Sequence, residues 1–207
     1  MMNTQFRKTL FDRWEIAPNV YGFDRMPEAE VTIRLAMYLI KGSYTNDDVI
    51  CAIDGAQVKV GSTVIFPIIE FLNAEGWIGL EQEEKWQCKY VNRNFSQGIV
   101  IHTASGEGDL VSNLTNGYTL RVESKKRPMV SKPGSKEYPL IREAIGQLMT
   151  VEYANEDDIL AVAVPESPKF LDLARQWRDR PLMKHAGIQI ITVSRNNQIT
   201  GLEHIGM

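Results

Sequence analysis

Cysteine is nearly absent from this chain of 207 residues, with Cys51 and Cys88 as its only thiols. Two thiols cannot build a disulfide framework or a cysteine zinc site, and their scarcity points to a reducing, cytoplasmic setting. Histidine is equally sparse. His102, His185 and His204 stand far apart and form no paired-ligand spacing, which argues against a dedicated zinc centre. No apolar run approaches the roughly 20 residues that a bilayer span requires, so no membrane partner is expected. Residues 1–14 carry Arg7, Lys8 and Arg13 but lack the continuous apolar stretch of a secretory signal. What remains is an ordinary globular composition, 43% hydrophobic and 24% charged, sufficient for one domain or two small ones.

The net charge of -3 conceals an uneven distribution. Residues 1–88 hold eight lysines and arginines against thirteen acids, and residues 143–207 hold six against nine. Residues 89–142 reverse the sign, with nine basic side chains against four acidic ones. A basic middle in an acidic chain marks a local face suited to anions such as phosphates.

Hydrophobic periodicity divides the chain in two. Residues 1–27, broken by Pro18 and Pro27, read as an irregular aromatic arm on the surface. Residues 28–41 form a largely buried helix closed by Gly42. Thr45 followed by Asp48 resembles a capping box and predicts a second short helix to about Ile53. A third helix carries Val64, Ile65, Ile68, Ile69 and Leu72, with Pro67 delaying its regular part, and ends at Gly76. Three short helices followed by strands at 77–80 and 86–91 resemble a winged helix-turn-helix module spanning residues 1–95.

From residue 96 the texture is that of a second domain, 96–207. Strands are expected at 98–103, 108–112 and 118–123, with Asn116-Gly117 as a hairpin turn. Residues 127–136 read as a loop. An amphipathic helix follows from 139 to about 153, then a strand at 159–164. Ser167 caps a helix begun by Pro168, and residues 188–193 form a last buried strand. The expected fold class is therefore α/β, a mixed β-sheet flanked by helices and preceded by a small, mainly helical N-terminal module.

One constellation within this unit carries chemistry. Glu123 and Lys125 lie two apart on a strand and so point to one face. The hairpin folds the strand that starts at Asp109 back beside them. Two carboxylates and an ammonium then converge at a sheet edge, with hard oxygen ligands suited to Mg²⁺ or Mn²⁺. A metal there neutralises charge on a phosphoryl oxygen and acidifies a bound water, while the lysine stabilises the transition state. His102, on the preceding strand, reads as a structural histidine, and Glu107 falls in the turn before Asp109.

Asp109, then Glu123-Ser124-Lys125, then the helix Glu143-Ala144-Ile145-Gly146-Gln147-Leu148 resemble the PD-(D/E)xK nuclease superfamily, with its restriction-endonuclease-like fold. That pattern has an acid on the second strand, a (D/E)-x-K triplet on the third and a following helix. The resemblance covers residues 98–194. It implies that Asp109 and Glu123 hold Mg²⁺ or Mn²⁺, that Lys125 assists the attacking water and that Gln147 faces the site. Members often carry a glutamate on the helix before the sheet, and Glu70 is the nearest candidate. Lys126, Arg127, Lys132 and Lys136 then become contacts to DNA phosphates. The implied activity is metal-dependent hydrolysis of DNA phosphodiesters, with a homodimer where both strands are cut. Two rival readings are a non-catalytic winged-helix regulator with a nuclease-like scaffold, and a defence-associated subunit that acts only with a partner.

Overall fold

The computed structural model describes residues 25–81, 85–104, 106–128, 137–151 and 154–205. A short strand, β1 (Arg25–Met26), leads into helix α1 (Glu28–Lys41), strand β2 (Val49–Ala52), helix α2 (Gly55–Val58) and the hairpin β3 (Lys59–Val60) and β4 (Thr63–Val64). Helix α3 (Ile68–Ala74) and strands β5 (Ile78–Gly79), β6 (Lys89–Val91) and β7 (Ile99–His102) follow. Then come β8 (Leu110–Asn113), β9 (Thr119–Ser124), β10 (Arg127–Pro128) and helix α4 (Glu137–Leu148). The chain continues through β11 (Asp158–Pro165), α5 (Pro168–Arg178), α6 (Pro181–Ala186), β12 (Gln189–Val193) and β13 (Ile199–Thr200).

Nine strands form one mixed sheet in the order β13-β12-β11-β9-β8-β2-β7-β6-β5. Strands β2, β8 and β9 pair antiparallel, and β11 then runs parallel to β9 across helix α4. The molecule is thus α/β, with helices against a large mixed sheet. The sheet draws strands from both sides of residue 95, and β2 lies between β8 and β7.

Helix α1 explains why the sheet holds together. Ten of its fourteen residues are buried, including Val31, Ile33, Leu35, Leu39 and Ile40, because they lie on the inner face of the strands. This packing fuses residues from Met26 to Leu202 into one hydrophobic cluster. Truncating one such residue, Leu35→Ala for example, would cost about 2–5 kcal/mol. A second cluster lies on the other face, where Ile141, Ala144 and Leu148 of α4 and Phe170 of α5 cover Val162 and Ile190. Glu30 is buried too, but its carboxylate is held by Arg34 at 2.9 Å and Arg195 at 2.8 Å.

The second helix expected at Thr45–Ile53 is replaced by strand β2. Val49-Ile50-Cys51-Ala52 is rich in β-formers, with Val49 and Cys51 buried, and tertiary pairing overrides the capping signal. The presumptive cap side chains bind neighbouring strands instead. Thr45 Oγ1 donates to the Asn113 carbonyl at 3.1 Å, and Asp48 Oδ1 accepts from the Gly98 amide at 2.7 Å. The other expected strands, and the helices at 28–41 and 168–178, fall where periodicity and capping place them, within a few residues. Val64, however, pairs in β4 ahead of a helix that begins only at Ile68, and Arg127–Pro128 of the expected loop pair with β1. Ser167 caps α5 by accepting from the Phe170 amide at 3.2 Å. Among the described residues, no helix is long and apolar enough to cross a membrane.

Candidate active site

Asp109, Glu123 and Lys125 gather at one end of the sheet. Leu110 pairs with Val122, so Asp109 and Glu123 stand at the next position across the two strands. The Asp109 amide donates to the Val122 carbonyl at 2.8 Å, which ties the entry of β8 tightly to β9. Gly108 makes this approach possible. Its φ is +101°, and a Cβ there would lie 2.9 Å from the Val122 carbonyl oxygen. Any side chain at this point would push Asp109 away from Glu123.

Lys125 lies just beyond β9, with its amide donating to the Ala163 carbonyl at 2.9 Å. Its ammonium donates to Glu123 Oε1 at 2.8 Å and stands 3.8 Å from Glu143 Oε1 of α4. Only 5% of the side chain is exposed, so this is a lysine held by carboxylates rather than by water. Burial by itself would lower its pKa; the Glu123 hydrogen bond and the charges of Glu123, Glu28 and Asp109 reverse that and raise it. Lys125 is therefore cationic throughout the physiological range.

Asp109 shows the opposite strain. Burial first, and then the Glu123 and Glu28 carboxylates, push its pKa from 3.8 up to about 8. A hydrogen bond of 2.7 Å from the Ser124 amide to Asp109 Oδ2, and the charge of Lys125, oppose this only in part. Two crowded carboxylates short of positive charge have the electrostatics of a cation site. Among the described residues, no three His, Cys, Asp or Glu side chains cluster closely enough to hold a metal by themselves. Mg²⁺ does not require such a cage, since one or two carboxylates with water and substrate phosphate suffice. The donor set of Asp109 and Glu123 fits that requirement.

The sequence pointed to Glu70 as the helix glutamate, but the structure brings Glu28 to the site. Glu70 is exposed on α3, and the group it influences is Tyr90 of β6, towards the far edge of the sheet. Glu28 is the first residue of α1, beside Lys125, Lys126, Glu123 and Asp109. Burial raises its pKa, while Lys125, Lys126 and the Lys126 backbone amide oppose the rise. Its Oε1 accepts from Gln57 Nε2 of α2 at 2.8 Å. The legible signal was an acid at the start of the first strongly periodic helix. With residues 98–103 as the first strand that helix stands too far off, whereas β2 is the antiparallel partner of β8 and α1 directly precedes it.

The remaining candidates divide. Gln147 is exposed on α4, one turn beyond Glu143, and it is Glu143 that reaches Lys125. Lys126 is exposed where Lys125 is buried, and both lysines act on the Glu28 carboxyl. Arg127 belongs to β10, which pairs with β1 through Met26. Lys132 and Lys136 lie outside the described residues. Glu107, in the turn, pairs with Arg121 at 3.0 Å. No protein-family model, curated protein or solved structure matches this chain.

Proposed function

We propose that this protein is a metal-dependent endonuclease that hydrolyses DNA phosphodiester bonds, built on a restriction-endonuclease-like core. The observation that carries the reading is the convergence of Asp109 and Glu123 with a buried, carboxylate-held Lys125. The run α1, β2, β8, β9, α4, β11 supports it, since an acid then precedes the second strand of an antiparallel trio and the triplet ends the third.

Asp109 and Glu123 would hold Mg²⁺ or Mn²⁺, which when bound supplies Lewis-acid stabilisation of a phosphoryl oxygen. Lys125 keeps its proton and is fixed by Glu123, so it offers a preorganised donor to the attacking water or to charge building on phosphorus. Glu28 adds a further acceptor at the same end of the sheet, oriented by Gln57. Lys126 presents positive charge to solvent beside this group, where a DNA backbone phosphate would lie.

The test is cleavage of supercoiled and linear DNA with Mg²⁺, with Mn²⁺ and with chelator. Cleavage should require the metal and should disappear in Glu123→Ala and Asp109→Asn. Undiminished cleavage in chelator, or in either variant, would rule the mechanism out.

A further inference from the structure

Register carries the site farther across the sheet than its carboxylates. Glu123 stands across from Asp109 at the end of the β8–β9 ladder, and the Asp109 carbonyl accepts from the Ala52 amide at 3.0 Å. Ala52 in turn pairs with His102 in the parallel ladder of β2 and β7. Directly paired residues share a face, so Glu123, Asp109, Ala52 and His102 form one row across four strands. At about 4.8 Å per strand, His102 lies roughly 10 Å from Asp109.

This face is open. Helix α1 packs on the opposite side of β2 and β7, and Ile50, on the same face as Ala52, keeps 41% of its surface exposed. Ala52 stands between the acids and the histidine, and its single methyl leaves the row clear for a chain of phosphates.

The imidazole of His102 is set to donate. Its Nδ1 accepts from the Ala104 amide at 3.1 Å, which places the proton of the neutral ring on Nε2. Among the described residues Nε2 has no hydrogen-bond partner. The ring is half-buried and pinned at one nitrogen, so its other N–H is left to a partner from outside the described residues.

We propose that His102 is a DNA-contacting residue whose Nε2–H donates to a non-bridging oxygen of a phosphate flanking the scissile one. The proposal rests on the nuclease reading and deepens it by giving the direction in which the strand crosses the sheet, from Glu123 over Ala52 to His102. An ordinary structural histidine on β7 would not respond to the charge of the substrate; a phosphate contact would.

The experiment uses the full chain and oligonucleotide duplexes cut by the wild-type protein, each with one methylphosphonate placed in turn at the phosphates around the scissile bond. His102→Ala should lower kcat/KM on unmodified DNA about tenfold or more, with an unchanged melting temperature. At one flanking position the methylphosphonate should slow the wild type by a similar factor and slow His102→Ala no further. His102→Gln, which retains an N–H donor, should recover much of the rate and keeps the test valid if the alanine variant unfolds. Full activity of His102→Ala, or equal methylphosphonate losses in wild type and variant at every position, would overturn the assignment. Those results would leave the metal site standing if Glu123→Ala remained inactive. A wild-type protein that cuts no duplex with metal would overturn the nuclease reading and this inference together.

Discussion

The hydroxyl groups of Thr32 and Ser124 meet at 2.9 Å in the buried layer between α1 and β9. Ser124 is the middle residue of Glu123-Ser124-Lys125 and is fully buried, and its amide holds Asp109. One hydrogen bond therefore sets the helix that begins with Glu28 against the strand that carries Glu123 and Lys125. Thr32→Val keeps the shape and leaves Ser124 Oγ short of a partner. It should destabilise the fold by about 1–3 kcal/mol in urea unfolding, the cost of an unsatisfied buried polar group. Activity measured well below the melting temperature should also fall, because Glu28 loses its fixed position. A neutral Thr32→Val would remove this contact from the account of the site.

Lys125 and Lys126 are adjacent residues of one chemistry in opposite environments. Lys125→Ala should cut the cleavage rate by roughly 10²-fold or more, the scale of a single preorganised electrostatic donor. Lys126→Ala should cost only a modest amount of DNA affinity, and that loss should shrink as salt rises. Single-turnover rates and salt-dependent binding separate the two effects. Equal losses in both variants would reduce the lysines to bulk positive charge.

The raised pKa of Asp109 gives a stability profile with an unusual sign. The folded value near 8 lies above the unfolded value near 4, so the native state keeps a proton that the unfolded chain releases. Metal-free protein should therefore lose stability as pH rises from about 4 to about 8, by at most about 1.4 kcal/mol per unit from this group, then level off. Asp109→Asn should flatten that slope. Added Mg²⁺ should raise the melting temperature of the wild type more at pH 8 than at pH 5, since protons compete for the same oxygen. Thermal unfolding across pH, with and without metal, reads all three outcomes.

Glu30, on the same helix as Glu28, tests the buried ion cluster that anchors that helix. Its buried carboxylate is clasped by Arg34 and Arg195, and Arg34 also stands over the Phe71 ring at 5.0 Å. Glu30→Ala removes the buried carboxylate that Arg34 and Arg195 share, so it should cost about 3–5 kcal/mol in denaturant unfolding. A loss below about 1 kcal/mol would mean that water readily replaces this carboxylate.

Much of the sheet was readable because its strands carry their own signals. The alternation over residues 118–123 and the turn at Asn116-Gly117 locate β9 and its partner, and with them Asp109, Glu123 and Lys125. The capping serine and N-terminal proline of α5 were equally plain. Strand β2 was not. Four residues are too few for periodicity to act on, and Thr45 and Asp48 carry cap chemistry whose true partners are distant strands. Glu28 was hidden by the same error, because the helix before the sheet cannot be identified until its first strand is known. Helix α6 and the hairpin of β3 and β4 went unread for want of length. His102 was visible only as a lone histidine; its meaning comes from register across four strands, which no local pattern encodes.

The connection between β2 and β8 has a kinetic consequence. These neighbours sit at the middle of the sheet, yet the chain leaves at Ile53 and returns only at Gly108, building α2, α3 and five further strands on the way, the last of them, β7, laid on the far side of β2. The entropy of closing so long an excursion must be met before the ladder from Ala52 to Asp109 can form, whereas the hairpin of β8 and β9 closes locally. Refolding should therefore zip β9 onto β8 early and seat β2 late. Asp109 and Glu123 then meet early in that hairpin, while the row from Asp109 through Ala52 to His102 is among the last parts of the molecule to mature.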